Sequence, residues 1–197
     1  MSHLFLTVDG VMQAPGQPDE DREGGFEHGG WQAAFVDEAT GRSVVERYQG
    51  LEALLLGRKT YEIFAGYWPH ASADNPFTTP LNEAPKYVAS TTLTEVAWQG
   101  SQLLGADVPT EVVALKERHQ RIDVVGSGVL LHTLLAADLV DRMNLWVFPV
   151  LLGTGKRAFA DGSAPAALRL AGSETFATGA VLLTYEKVGR PTYGTMG

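Results

Sequence analysis

The sequence predicts an α/β protein with a central, mostly parallel sheet and an antiparallel edge. Short apolar runs of strand type alternate with helical patterns along most of the chain, the order expected of parallel strands joined by crossover helices. The last two runs, Leu168–Ala171 and Val181–Glu186, have no helical pattern between them, which makes the far edge antiparallel. Several strand ends carry glycine, hydroxyl or cationic residues, and open α/β sheets gather ligands at such ends.

Leu4–Val8 reads as the first strand, ended by Asp9-Gly10. The segment from Gly10 to Gly30 is irregular and rich in Gly, Pro, Asp and Glu. A loop this long in a compact domain is usually functional. Trp31 to Gln49 reads as a helical stretch interrupted at Thr40-Gly41. Ala53-Leu54-Leu55-Leu56 is a buried strand, broken by Gly57. Arg58 and Lys59 follow, and Thr60 reads as the N-cap of a helix carrying Tyr61, Ile63, Phe64 and Tyr67.

Pro69 to Pro85 is loop-like with a short helix near Phe77. Lys86–Ser90 is a strand, and Ser101–Leu104 a shorter one. A helix opens at Pro109 and runs to His119. Ile122–Val125 is a strand, Gly126-Ser127-Gly128 a turn, and Val129–Ala137 a helix. Leu139 to Leu152 reads as one long interior strand. The organisation expected is a single domain over residues 1–188 with a loose tail over 189–197.

Of the 197 residues 45% are hydrophobic, enough for one well-buried domain and short for two. The net charge of −8 makes the chain a poor general binder of nucleic acid or anionic membrane. A site for an anion must then be local. The absence of cysteine excludes disulfides, thiolate nucleophiles and Cys-based metal sites. The N-terminus lacks the pattern of a signal peptide, and no apolar run reaches membrane-spanning length. A cytoplasmic protein is expected.

Gly57-Arg58-Lys59-Thr60 places two cations at a strand end that opens a helix. Free N–H groups and the helix dipole there suit a phosphate. A surface turn with solvated cations is the other reading. Gly126-Ser127-Gly128 joins a strand to a helix, as pyrophosphate-binding turns do, although Leu131 stands where a third glycine belongs. Close helix–strand packing would also require glycine. Ser90-Thr91-Thr92 either binds phosphate or closes a turn. Gly153-Thr154-Gly155-Lys156-Arg157 fails as a P-loop, because Arg157 replaces the magnesium-binding hydroxyl and Val150 the first glycine. The five histidines lack ligand spacing, so no metal site is expected, and no G-x-S-x-G elbow supports a hydrolase. Three phosphate-suited strand ends on one dinucleotide are more economical than three unrelated turns.

In this order, the segments Thr7–Met12, Leu56–Tyr61, Lys86–Ser90, Val125–Gly128 and Leu139–Gly153 resemble the dihydrofolate reductase-like superfamily. More closely, the chain is similar to stand-alone relatives of the reductase domain of bacterial riboflavin biosynthesis. The resemblance implies a central sheet with helices on both faces and NADPH laid across the strand ends. It implies that Gly57, Arg58 and Thr60 bind cofactor phosphates. Ser90 and Thr91 would lie near the 2′-phosphate and adenosine, and Gly126, Ser127 and Gly128 would bind the pyrophosphate. The segment after Asp9 would face the nicotinamide and substrate. Arg142 departs from the Asp-Glu pair usual in the riboflavin enzyme, and the Gln13–Gly30 segment matches the relatives rather than that enzyme.

The expectation is an NADPH-dependent reductase acting on a C=N or C=O group of a pyrimidine- or pterin-like small molecule. Asp9, with Glu27 in reserve, is the candidate polar group at the reacting end. The competing role for Asp9 is that of a turn residue before Gly10, and for Trp31 core packing competes with substrate stacking. With no acidic residue in the turn itself, Arg58 and Lys59 favour NADPH over NADH. The apolar Leu145–Leu152 run and the resemblance favour a homodimer. The rival readings are a non-catalytic nucleotide-sensing module on the same fold and a generic dimeric α/β protein with solvated turns.

Overall fold

A computed structural model describes residues 1–196. Eight strands form one sheet in the order β4-β3-β2-β5-β1-β6-β8-β7. They are β1 (Ser2–Thr7), β2 (Ala53–Gly57), β3 (Lys86–Ala89), β4 (Ser101–Leu103), β5 (Ile122–Val125), β6 (Arg142–Phe148), β7 (Ala167–Thr175) and β8 (Val181–Gly189). The strands from β4 across to β6 are parallel, and β8 and β7 complete an antiparallel edge. Five α-helices surround it: α1 (Glu38–Tyr48), α2 (Arg58–Tyr67), α3 (Thr78–Glu83), α4 (Val108–Arg118) and α5 (Gly128–Ala136).

Strand alternation sorts the core into two layers. Leu4, Leu55, Val124 and Leu145 face one side, where Val112 and Leu115 of α4 and the leucines of α5 cover them. Leu54 and Leu56 face the other side, against Tyr48 of α1, Tyr61 of α2 and Leu81 of α3. That second face continues across Phe5, Trp146, Phe148 and Leu182, where Trp31 packs edge-on to Phe148 at 5.7 Å. Trp31 therefore belongs to the core, and its indole N–H donates to the Gln13 carbonyl at 2.8 Å.

Four local readings are corrected. The helix placed over Trp31–Gln49 begins at Glu38, because the Asp37 carboxylate caps it by accepting from the Thr40 N–H at 2.8 Å. Gly41 lies inside this helix without breaking it. The helix after β2 is capped at Gly57, and Thr60 sits in its first turn. Residues 139–141 are not strand: Asp138 adopts φ 61°, and the Leu139 N–H returns to the Leu134 carbonyl at 2.8 Å to close α5. Pro149, which has no N–H to give the ladder, marks the other end of β6. Finally, β7 and β8 each run to nine residues, so the last strand reaches Gly189.

The apolar Leu145–Leu152 run is mostly core. Trp146 and Phe148 are fully buried, while Leu151 is exposed.

Lys86 is a buried cation with no carboxylate partner among the described residues. Its ammonium donates to the Asn82 and Gln99 carbonyls at 2.5 and 2.9 Å and sits 4.3 Å from the Trp98 ring centre. Burial pushes its pKa down to about 8 from 10.5. Below pH 8 both folded and unfolded chains hold this proton, and the folded chain bears the cost of a desolvated charge. Between 8 and 10.5 the unfolded chain holds more protons, so this group makes stability rise with pH. The melting temperature of the wild type should rise relative to that of Lys86→Met between pH 8 and 10, and parallel melting curves would refute the assignment.

Candidate active site

From β1 the chain crosses to β2 on one side, and from β5 it crosses to β6 on the other. The adjacent strands β5 and β1 thus form a switch point, and it is outside the carboxyl ends of strands at such points that open α/β sheets take ligands. Two helix N-termini stand beside it: α2 leaves β2, and α5 leaves β5. Each presents backbone N–H groups without intrahelical partners.

Ser127 joins the two. Its Oγ accepts from the Gly57 N–H at 2.9 Å and shares a hydrogen bond with Thr60 Oγ1 at 2.7 Å. Gly126 has φ 58°, and Ser127 itself is left-handed at φ 58°, ψ 71°. A left-handed serine costs about 1–2 kcal/mol, which these hydrogen bonds offset. A Cβ on Gly57 would lie 2.7 Å from Ser127 Oγ and 2.9 Å from its Cβ. Gly57 is therefore glycine because Ser127 reaches across. One on Gly128 would meet only Met12 Sδ at 3.4 Å and the Arg157 carbonyl at 3.7 Å, ordinary contacts.

The other predicted residues divide. Arg58 stands exposed in the first turn of α2, where Glu62, one turn on, accepts its guanidinium at 3.0 and 3.1 Å. An acidic side chain thus does stand beside Arg58. Ser90 follows β3, whose Ala89 pairs with Gly57, so it belongs to the same rim. Its Oγ accepts from the Thr92 and Leu93 N–H groups at 3.1 and 2.9 Å, closing a turn, and Thr91 is exposed. Glu27 is exposed in the long loop.

Asp9 lies at the end of β1, largely enclosed. Its carboxylate accepts from Thr7 Oγ1 at 2.6 Å, the Gly153 N–H at 2.9 Å and the Leu152 N–H at 3.3 Å, with Arg157 at 3.4 Å. The Thr7 hydrogen bond first, then the two backbone donors, hold its pKa below the usual carboxylate value. Geometry favours the turn role for Asp9, because its oxygens are occupied in tying β1 to the loop after β6.

Sequence reasoning missed what orders the Gly10–Gly30 loop. Buried Gln13 donates its amide to the Asp21 and Glu23 carbonyls at 3.1 and 3.0 Å, and its Oε1 accepts from the Lys156 N–H at 3.0 Å. The Asp21 side chain is 7% exposed and sits 2.7 Å from the Lys156 ammonium and 3.7 Å from that of Lys59. Burial alone would raise its pKa, but Lys156, the Glu23 N–H and the charge of Lys59 lower it on balance. Nothing local in the sequence signals this pairing of residues 135 apart.

Two cavities of about 370 and 390 Å³ lie elsewhere, between α1 and the β6–β8–β7 region. The second is lined by Arg47, Arg121 and Arg142, which are already paired with Glu174, Asp123 and Glu186. Neither touches the glycine turn.

The mostly parallel sheet with this strand order has a dihydrofolate reductase-like fold. A family described as the RibD C-terminal domain matches residues 1–182, and the chain belongs to that family. Its relatives include the uncharacterized protein YyaP of Bacillus subtilis (strain 168), 29% identical over 141 residues, which span 68% of this chain and 73% of that protein. Among solved structures, the Thermotoga maritima diaminohydroxyphosphoribosylaminopyrimidine deaminase/5-amino-6-(5-phosphoribosylamino)uracil reductase superposes with a TM-score of 0.61 at 16% identity. The match covers 95% of this chain and 56% of that one. Dihydrofolate reductase from Enterococcus faecalis, complexed with NADP(H), superposes with a TM-score of 0.57 at 14% identity, covering 94% of each chain. These structures share the fold of this chain.

Proposed function

We propose that this chain is an NADPH-dependent reductase that passes a hydride to a C=N or C=O group of a pyrimidine- or pterin-like small molecule, in the manner of 5-amino-6-(5-phosphoribosylamino)uracil reductase. The observation that carries the proposal is the Ser127 link between the N-termini of α2 and α5 at the switch point. It holds two sets of free N–H donors side by side, a fit to the two phosphates of a dinucleotide. Gly57, Thr60, Gly126, Ser127 and Gly128 would hold the pyrophosphate. Arg58, Ser90 and Thr91, farther along the rim, would meet the adenosine side and its 2′-phosphate. The cofactor supplies the hydride, and the chain supplies binding and orientation.

A second reading, a non-catalytic NADP(H)-sensing module, is favoured by one observation: the Asp9 carboxylate is occupied within a turn and Glu27 stands in solvent. Titration of NADPH and NADH, read by tryptophan fluorescence, tests the cofactor. NADPH should bind about tenfold or more tightly than NADH, the worth of a charge-assisted hydrogen bond. Arg58→Ala should remove that preference, and equal affinities in the wild type would refute it. NADPH oxidation with candidate substrates separates enzyme from sensor.

The proposal extends to a cytoplasmic homodimer of single domains over residues 1–188, with no nucleic acid or membrane partner. Among the described residues no helix is long and apolar enough to cross a membrane. Edge strand β7 is exposed from Leu168 to Ser173, including Leu168 and Leu170, and a second copy would cover it. Light scattering in solution tests the dimer, and a monomer at micromolar concentration would refute it.

A further inference from the structure

We propose that the Asp21 carboxylate stands in on Lys59 for the cofactor's phosphates, so that binding exchanges one anion for the other. The inference rests on the cofactor reading above. Lys59 follows β2, and Lys156 follows β6. Between those strands lie β5 and β1, whose ends form the switch point. The Asp21 carboxylate is shared by the two ammonium groups, at 3.7 and 2.7 Å, and so reaches across the switch point from the β2 side to the β6 side. It is carried there by the loop that leaves β1.

The two contacts differ in kind. Lys156 is also held by Glu23 at 2.6 Å, and its backbone N–H is bound by Gln13. Lys59 is 44% exposed and has Asp21 as its sole ion-pair partner among the described residues. The Lys59 contact is thus the one that opens without dismantling the loop. The same loop lays Met12 against the glycine turn: its Cε lies 3.8 Å and its Sδ 3.4 Å from the positions that a Cβ on Gly126 and on Gly128 would take. A dianionic group arriving there outbids a single carboxylate for a half-exposed lysine, since it brings more charge to the same distance.

NADPH is titrated into the wild type, Asp21→Asn, Lys59→Met and the double variant, with tryptophan fluorescence as the readout. Asp21→Asn should bind about three- to tenfold more tightly, because the competing anion is gone. Lys59→Met should bind more weakly, and in its background Asp21→Asn should bring no gain. Weaker or unchanged binding by Asp21→Asn, or a gain that persists without Lys59, would overturn the proposal. Inorganic pyrophosphate is a second probe. It should raise the melting temperature of Asp21→Asn more than that of the wild type, even if no dinucleotide binds and the cofactor reading fails. Equal shifts would overturn the exchange itself.

Discussion

Asp9→Asn is expected to lower the melting temperature by roughly 3–12 °C while leaving turnover per folded molecule within a few-fold of wild type. The carboxylate gathers Thr7 Oγ1, the Gly153 and Leu152 N–H groups and Arg157 around two oxygens. Asparagine keeps one acceptor oxygen and turns an NH₂ group toward donors. A hydrogen bond to a charged group is worth about 1.5–3 kcal/mol, and a protein of this size loses about 2–4 °C per kcal/mol. The depressed pKa argues the same way, since an ionised, fully engaged carboxylate is a poor source of protons. Thermal melts and single-turnover rates on one preparation decide between the roles. An unchanged melting temperature with turnover reduced about a hundredfold would return Asp9 to the reacting end.

Gly57→Val should abolish cofactor binding, with a loss of about a hundredfold, or ~2.7 kcal/mol. A Cβ at this position already lies 2.7 Å from Ser127 Oγ, inside any tolerated contact, and valine adds two methyl groups beyond it. Ser127 must swing away, releasing the Gly57 N–H and Thr60 Oγ1 together. The two helix N-termini then lose their common register. Gly128→Ala is the control. Its Cβ meets ordinary contacts, and its backbone begins a regular helix, so it should melt near the wild type. Near-normal NADPH affinity in a folded Gly57→Val protein would reduce the Ser127 bridge to a packing contact.

The sheet was legible because its signals are local. Leu54-Leu55-Leu56 and Ile122–Val125 are buried on both faces, and such strands read as continuous apolar runs. The glycine turns announced the helices behind them. What stayed hidden was set by partners far along the chain. Thr60 looks like a cap on its own, but Ser127, 67 residues away, supplies the oxygen at that helix start. Leu139–Leu152 is apolar enough for one strand, yet the Asp138 reversal and Pro149 trim it at both ends. The roles of Gln13, Asp21 and Lys156 follow from contacts that no window of sequence contains. At the candidate site, the rim residues were proposed from their chemistry, while the engagement of Arg58 by Glu62 and of Ser90 by its own turn emerged only with the side chains in place.

The Gln13 amide binds the backbone at residues 21, 23 and 156 while the chain from Gly16 to Asp19 lies in solvent. The staple closes a small ring, and its outer arc is held in turn: the Glu20 carboxylate accepts from the Gly16 and Gln17 N–H groups at 2.7 and 3.0 Å, and a Cβ on Gly29 would lie 2.3 Å from the Pro18 carbonyl oxygen. A change of length in the arc therefore unseats Gly29 as well, and a lineage or an engineer that varies it must rebuild both ends of the loop together.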